Sequence, residues 1–150
     1  FERGELNRDC VVVLPYQGPR ANGMPELHQL MPQLSVLQNQ GYKVALVTDG
    51  RMSGASGKVP AAIHLTPEAL LGGNIAKIQN GDVLRLNGIT GEFNVLVDAQ
   101  TLLKRPVNPP ELQTHHHTIG RRLFASMRQT CSSAETGAMS FGGEFSDERH

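Results

Sequence analysis

The sequence has no tryptophan, and aromatic residues make up only 5% of it. Any core must therefore be largely aliphatic. No apolar run approaches the roughly 18 residues that cross a bilayer, so no membrane partner is expected. An excess of one charge is also missing, since 14 Lys and Arg face 14 Asp and Glu. Nucleic-acid surfaces meet phosphate backbones with clustered positive charge, so no nucleic-acid partner is expected. Cysteine is scarce: Cys10 and Cys131 stand far apart, with neither a CxxC nor a Cys/His ligand spacing. They read as small buried hydrophobes or free thiols rather than a disulfide framework. The opening residues FERGELNRDC have neither an n-region nor an h-region, so no signal peptide is expected and the simplest reading is cytoplasmic.

What is present fits one domain. A chain of 150 residues can bury about two-thirds of its unfolded surface without staples. VVVLP (residues 11–15) is a short apolar run closed by Pro, as in a buried strand. YQGPRANGMPE follows, too rich in Gly, Pro and Asn for regular structure. From Pro25, the residues Leu27, Leu30, Met31, Leu34 and Leu37 repeat at helical spacing, with Gly41 as the stop. Pro32 should kink or divide that helix. YKVALVT (residues 42–48) is a second apolar, β-branched run. Strand, helix and strand make a βαβ unit with parallel strands, whose ligand loops lie beyond the strands' carboxyl ends. The loops after residues 14 and 48 should therefore lie side by side.

Further on, TPEALLGG suggests a short helix capped by Thr66, with Pro67 in its first turn. NIAKI, DVLRLN and EFNVLVD alternate like antiparallel strands, separated by QNGD and GITG turns and curling into a small barrel or sandwich. DAQTLLKRP suits a helix capped by Asp98 and ended before Pro106. The expected organisation is a domain over residues 1–106, a Pro-rich linker over 107–118, a helix over 119–131 and a mobile tail over 132–150.

The loop VTDGRMSGASGKVP (residues 47–60) is the chemical focus. It fails as a nucleotide phosphate loop: Met52 stands where the first Gly belongs, and Val59 where the hydroxyl belongs. Ser53 lies on a tight turn, but its surroundings are not the GxSxG elbow. By itself it reads as a turn serine. His28 and His64 read as structural or surface histidines. Glu26 in a first helical turn is already explained by the helix dipole. His115–His117 read as solvated linker, because a zinc site needs more ligands in fixed geometry.

Three collinear stretches go further: GPRANGMPE (18–26), VTDGRMSGASGKVPAAIHLTPEA (47–69) and IAKIQNGDVLRL (75–86). Together with GRRLFASMRQTCSSAETGAMSF (120–141), they resemble the C-terminal region of the dihydroxy-acid and sugar-acid dehydratases. SGASGKVPAAIHLTPEA is similar to the 6-phosphogluconate branch. The dihydroxy-acid branch instead tends toward TDGRFSG and a GHVSPEA-like segment. The resemblance implies a mixed α/β fold, a β-barrel-like swivelling β/β/α domain with flanking helices. It also implies a larger cytoplasmic homodimeric hydro-lyase, of which this chain is a C-terminal part, inactive alone. Its partner would be the enzyme's own N-terminal domain. That domain would hold an iron–sulfur cluster, expected as 4Fe-4S, and much of a Mg2+ site.

The implied reaction removes the proton beside the substrate carboxylate and expels the 3-hydroxyl, giving an enol that becomes a 2-keto acid. For 6-phosphogluconate the product is 2-dehydro-3-deoxy-6-phosphogluconate. By resemblance, Ser53 is the base, acting as an alkoxide stabilised by nearby cations, and Glu26 is a magnesium ligand. Arg51, Ser53, Ser56 and Lys58 are the expected substrate contacts. Lys58, with Ser56, is a candidate for the 6-phosphate, ahead of Arg20. The alternatives are another sugar acid, a branched-chain dihydroxy acid, or a non-catalytic module that binds a ligand or partner.

Overall fold

The two apolar runs pair as the βαβ pattern requires. In the computed structural model, which describes residues 1–52, 57–112 and 117–141, β1 (Cys10–Leu14) lies parallel to β2 (Val44–Thr48). Cys10 faces Val44 and Leu14 faces Thr48. A short strand β3 (Ala61–Ala62) adds in parallel to the other side of β2, so the order is β1-β2-β3. Every residue of central β2 is buried.

The period of two along these strands divides the core. Val44 and Leu46 share one face with Cys10, Val12, Leu14 and Ala61, and pack on Leu34 and Leu37 of helix α1 (Met31–Asn39). Val47 points the other way, with Val11, Val13 and Ala62, toward Tyr16, Ala21, Ala69 and Ile75. Burying a leucine contributes about 1.5–3 kcal/mol, so Leu34, Leu37 and Leu46 anchor the first face.

Pro32 divides the helical stretch as expected, and it does so by opening α1. The helix does not begin at Pro25. Residues His28–Leu30 form a separate 3-10 turn, and Pro32 occupies the first turn of α1, where no N–H is required. The stop at Gly41 is as expected. Gly41 N–H reaches Gln38 O, and its φ of 98° turns the chain so that Tyr42 N–H returns to Leu37 O, satisfying the last carbonyls.

The middle of the chain departs from a barrel. DVLRLN and EFNVLVD do form an antiparallel hairpin, β4 (Leu84–Asn87) with β5 (Glu92–Val95). NIAKI does not join it, because Asn74–Lys77 is a 3-10 turn. The class is mixed α/β, with a three-stranded and a two-stranded sheet and no closed barrel among the described residues. The helix expected in TPEALLGG is also only a 3-10 turn, Ala69–Leu71, and Thr66 does not cap it. Glu68 is extended instead, and its side chain is engaged elsewhere. Helix α2 (Ala99–Lys104) matches expectation, with Asp98 accepting from Thr101 N–H at 2.9 Å.

The C-terminal helix is two short helices, α3 (Ile119–Leu123) and α4 (Ala125–Thr130), meeting at Phe124. Val107 and Leu112, in the Pro-rich stretch, pack on the Tyr16 cluster. Residues 132–141 fold back on themselves, with Ser132 N–H donating to Met139 O. No helix among the described residues is long and apolar enough to cross a membrane.

Candidate functional site

The carboxyl ends of β1 and β2 do lie side by side, and a buried carboxylate holds them there. Asp49, fully buried, immediately follows β2. Its oxygens accept from Tyr16 N–H at 3.2 Å, Gln17 N–H at 2.8 Å and Ala69 N–H at 2.8 Å. One side chain thus satisfies backbone donors from the loop after β1 and from the turn at residue 69. Beneath it, Thr48 Oγ1 donates to Leu14 O and accepts from Gly50 N–H.

Glu68 does the same one layer out. It is 4% exposed and accepts from Arg20 N–H at 3.1 Å and Ala21 N–H at 3.1 Å. Gly18 is required for that approach, since a Cβ there would collide with the Glu68 carboxylate. The GPRANG loop is therefore shaped by an acceptor some fifty residues downstream.

These ties bring Glu26 and Arg51 together. Their backbones form an isolated parallel bridge, and Arg51 Nη1 stands 3.7 Å from Glu26 Oε2. Arg51 Nε also donates to Met24 O at 2.6 Å, and Glu26 Oε1 accepts from His28 N–H. Ser53 and Ser56 lie outside the described residues, as do His115 and His116. Lys58, at the far end of the same loop, is exposed and donates to Asn39 Oδ1 at 2.6 Å, at the end of α1. His28 and His64 are both exposed.

Metal chemistry is only partly provided for. Glu26 offers one carboxylate, but no group of three or more His, Cys, Asp or Glu among the described residues is placed to hold a metal ion. The two cysteines are engaged in packing and hydrogen bonding instead. Cys10 packs in the Leu37 cluster, and buried Cys131 donates its thiol to Ala138 O at 3.0 Å. The described residues therefore do not fit an iron–sulfur cluster.

Beside the Glu26–Arg51 bridge opens a groove of about 680 Å3. Met24, Pro25 and Arg51 form one wall, and Arg121, Phe124 and Arg128 of the terminal helices form another. Arg121 donates from Nη1 to Asn22 O and Oδ1, and Arg128 Nη2 donates to Arg121 O at 2.9 Å. Arg128 is 9% exposed. Burial, and then the neighbouring Arg121 cation, hold its guanidinium below the usual value. Two wall residues, Met24 at φ 51° and Ala138 at φ 50°, hold left-handed backbone without being glycine. Such strain costs about 1–3 kcal/mol per residue and gathers at functional sites.

Sequence reading missed Asp49, Glu68, Arg121 and Arg128. Asp49 had a signal, as the first polar residue after a buried strand. The others had none, because their partners are distant along the chain.

A mixed α/β chain with this paired-loop site belongs to the dihydroxy-acid/6-phosphogluconate dehydratase C-terminal family, whose model matches residues 1–138. Within it, the chain is 57% identical over 138 residues to the phosphogluconate dehydratase of Escherichia coli (strain K12), covering 92% of this chain. It is 59% identical over 141 residues to that of Pseudomonas aeruginosa, covering 94% of this chain. The dihydroxy-acid dehydratase of Methanococcus maripaludis is 35% identical over 138 residues, 91% of this chain. The chain spans only 23% of the length of the first two relatives and 24% of the third.

Proposed function

We propose that this chain is the substrate-closing C-terminal part of a cytoplasmic, homodimeric hydro-lyase that converts 6-phosphogluconate to 2-dehydro-3-deoxy-6-phosphogluconate. The observation that carries this reading is the pairing of Glu26 with Arg51 across the two loops, in a chain 57% identical to a phosphogluconate dehydratase. Ser53 takes the C2 proton, the C3 hydroxyl leaves as water, and the resulting enol tautomerises to the 2-keto acid. Arg51, Ser56 and Lys58 contact the substrate.

Glu26 supplies one ligand to a Mg2+ ion completed by the N-terminal domain of the same enzyme. Bound there, such an ion would neutralise the substrate carboxylate. The 4Fe-4S cluster likewise belongs to the N-terminal domain, and none of the roles given to this chain's residues runs through it.

The test is a 2-keto acid assay on the full-length enzyme, reconstituted with iron, sulfide and Mg2+. Turnover of 6-phosphogluconate, with Ser53→Ala lowering kcat at least about a hundredfold, supports the reading, since general-base removal typically costs that much. Turnover of a branched-chain dihydroxy acid instead would move the chain to the other branch. A wild-type enzyme active on neither of these nor on any other sugar acid sinks the lyase reading.

A further inference from the structure

The groove beside Glu26 and Arg51 has an unusual balance of charge. Three arginines, Arg51, Arg121 and Arg128, contribute to its walls, and no Asp or Glu does so among the described residues. Arg51 faces Glu26, but neither Arg121 nor Arg128 makes an ion pair among the described residues. Their hydrogen bonds go to backbone carbonyls and to the neutral Asn22 side chain. A mostly buried guanidinium without a counter-charge is costly to keep.

The cost has a functional explanation. Arg121 donates through Nη1 and Arg128 through Nη2, which leaves further N–H groups on both guanidiniums without a partner among the described residues and available to an anion. A planar guanidinium matches two phosphate oxygens at once. The groove also shares Arg51 with the Glu26 bridge, so an acid whose carboxylate lies at Glu26 can extend its far end toward the wall formed by α3 and α4.

We infer that Arg121 and Arg128 form the subsite for the terminal phosphate of the sugar-acid substrate and thereby select the phosphorylated acid. This rests on the proposed dehydratase reading and replaces Lys58 as the phosphate contact. Lys58 is instead bonded to Asn39 at the end of α1.

The test measures KM and kcat of the full-length holoenzyme on 6-phosphogluconate and on unphosphorylated gluconate. Arg121→Gln should raise KM for the phosphorylated acid at least about tenfold, the loss of one charge-assisted hydrogen bond, with kcat within about twofold. KM for gluconate should not move. Arg121→Lys, which keeps a point charge, should recover part of the loss. Inorganic phosphate should compete with 6-phosphogluconate in the wild type and compete less well in Arg121→Gln.

Two controls separate the subsite from general charge. Arg122 is exposed, adjacent and not part of the groove wall, so Arg122→Gln should leave both KM values unchanged. Lys58→Ala, which removes a loop contact away from the phosphate, should change the two KM values by the same factor. An unchanged KM for 6-phosphogluconate in Arg121→Gln overturns the inference, as does an equal loss on both acids. A rise in KM with Lys58→Ala but not with Arg121→Gln returns the phosphate to the loop. A wild type that dehydrates only branched-chain dihydroxy acids removes the phosphogluconate reading itself, and the inference with it.

Discussion

Asp49 and Asp82 are the same residue used in opposite ways. Asp49 spends its carboxylate on three backbone N–H groups from two distant segments. Asp82 closes its own turn through Gln79 N–H and takes a two-pronged ion pair from Arg105, with Nη2 at 2.9 Å from Oδ1. Around the hairpin, then, acid neutralises base. Around the strand ends, the acids Asp49 and Glu68 are occupied by amides, which leaves Arg20, Arg121 and Arg128 without a carboxylate among the described residues. A chain of zero net charge thereby carries a locally cationic groove.

The largest effect should come from breaking the first arrangement. Asp49→Ala strands three N–H donors in or beside the core, and should destabilise the chain by on the order of 4 kcal/mol in urea unfolding. Asp49→Asn keeps an acceptor oxygen and should cost clearly less. In hydrogen exchange, loss of protection should concentrate at Tyr16, Gln17 and Ala69. A loss spread evenly over β2 and α1 would contradict the role given to Asp49.

The second arrangement should respond to acid. The Arg105 hydrogen bond, and next the Gln79 N–H, hold the Asp82 carboxyl below its ordinary range. The folded value lies below the unfolded one, so the stabilisation is present above the ordinary carboxylate range and lost as pH falls through the folded value. Asp82→Asn should therefore lower the urea midpoint near neutrality and flatten its fall between about pH 5 and pH 2. An unchanged acid limb would leave Asp82 without a part in it.

The smallest effect concerns Tyr16, whose buried hydroxyl has no hydrogen-bond partner among the described residues. Burial, and then Asp49, push its phenol above the usual value. Tyr16→Phe removes a buried polar atom without disturbing the Asp49 bonds to the backbone, so stability should be unchanged or slightly higher. A loss of more than about 1 kcal/mol would show that the hydroxyl is satisfied after all.

What could be read from the sequence depended on how far each cause reaches. β1, β2 and the Gly41 stop followed from periodicity, and the Asp98 cap from a partner three residues away. NIAKI failed because so short a run, polar at Asn74 and Lys77 and apolar at Ile75, Ala76 and Ile78, fits a 3-10 turn as well as a strand, and propensity does not decide between them. TPEALLGG failed for a non-local reason: Glu68, which would have helped start a helix, is drawn into the GPRANG loop. The adjacency of the two strand-end loops was legible from topology. The groove was not, because Arg121 and Arg128 meet Asn22 and Gly23 only after about a hundred residues of intervening chain have folded.

The amide contacts of Asp49 also bear on redesign. Because one side chain fixes the loop after β1, the loop after β2 and the turn at Ala69, the three segments share a single origin of coordinates. A loop grafted alone from a dihydroxy-acid relative would inherit a frame set by its neighbours. Exchange of specificity between the two branches should therefore move these segments as a set.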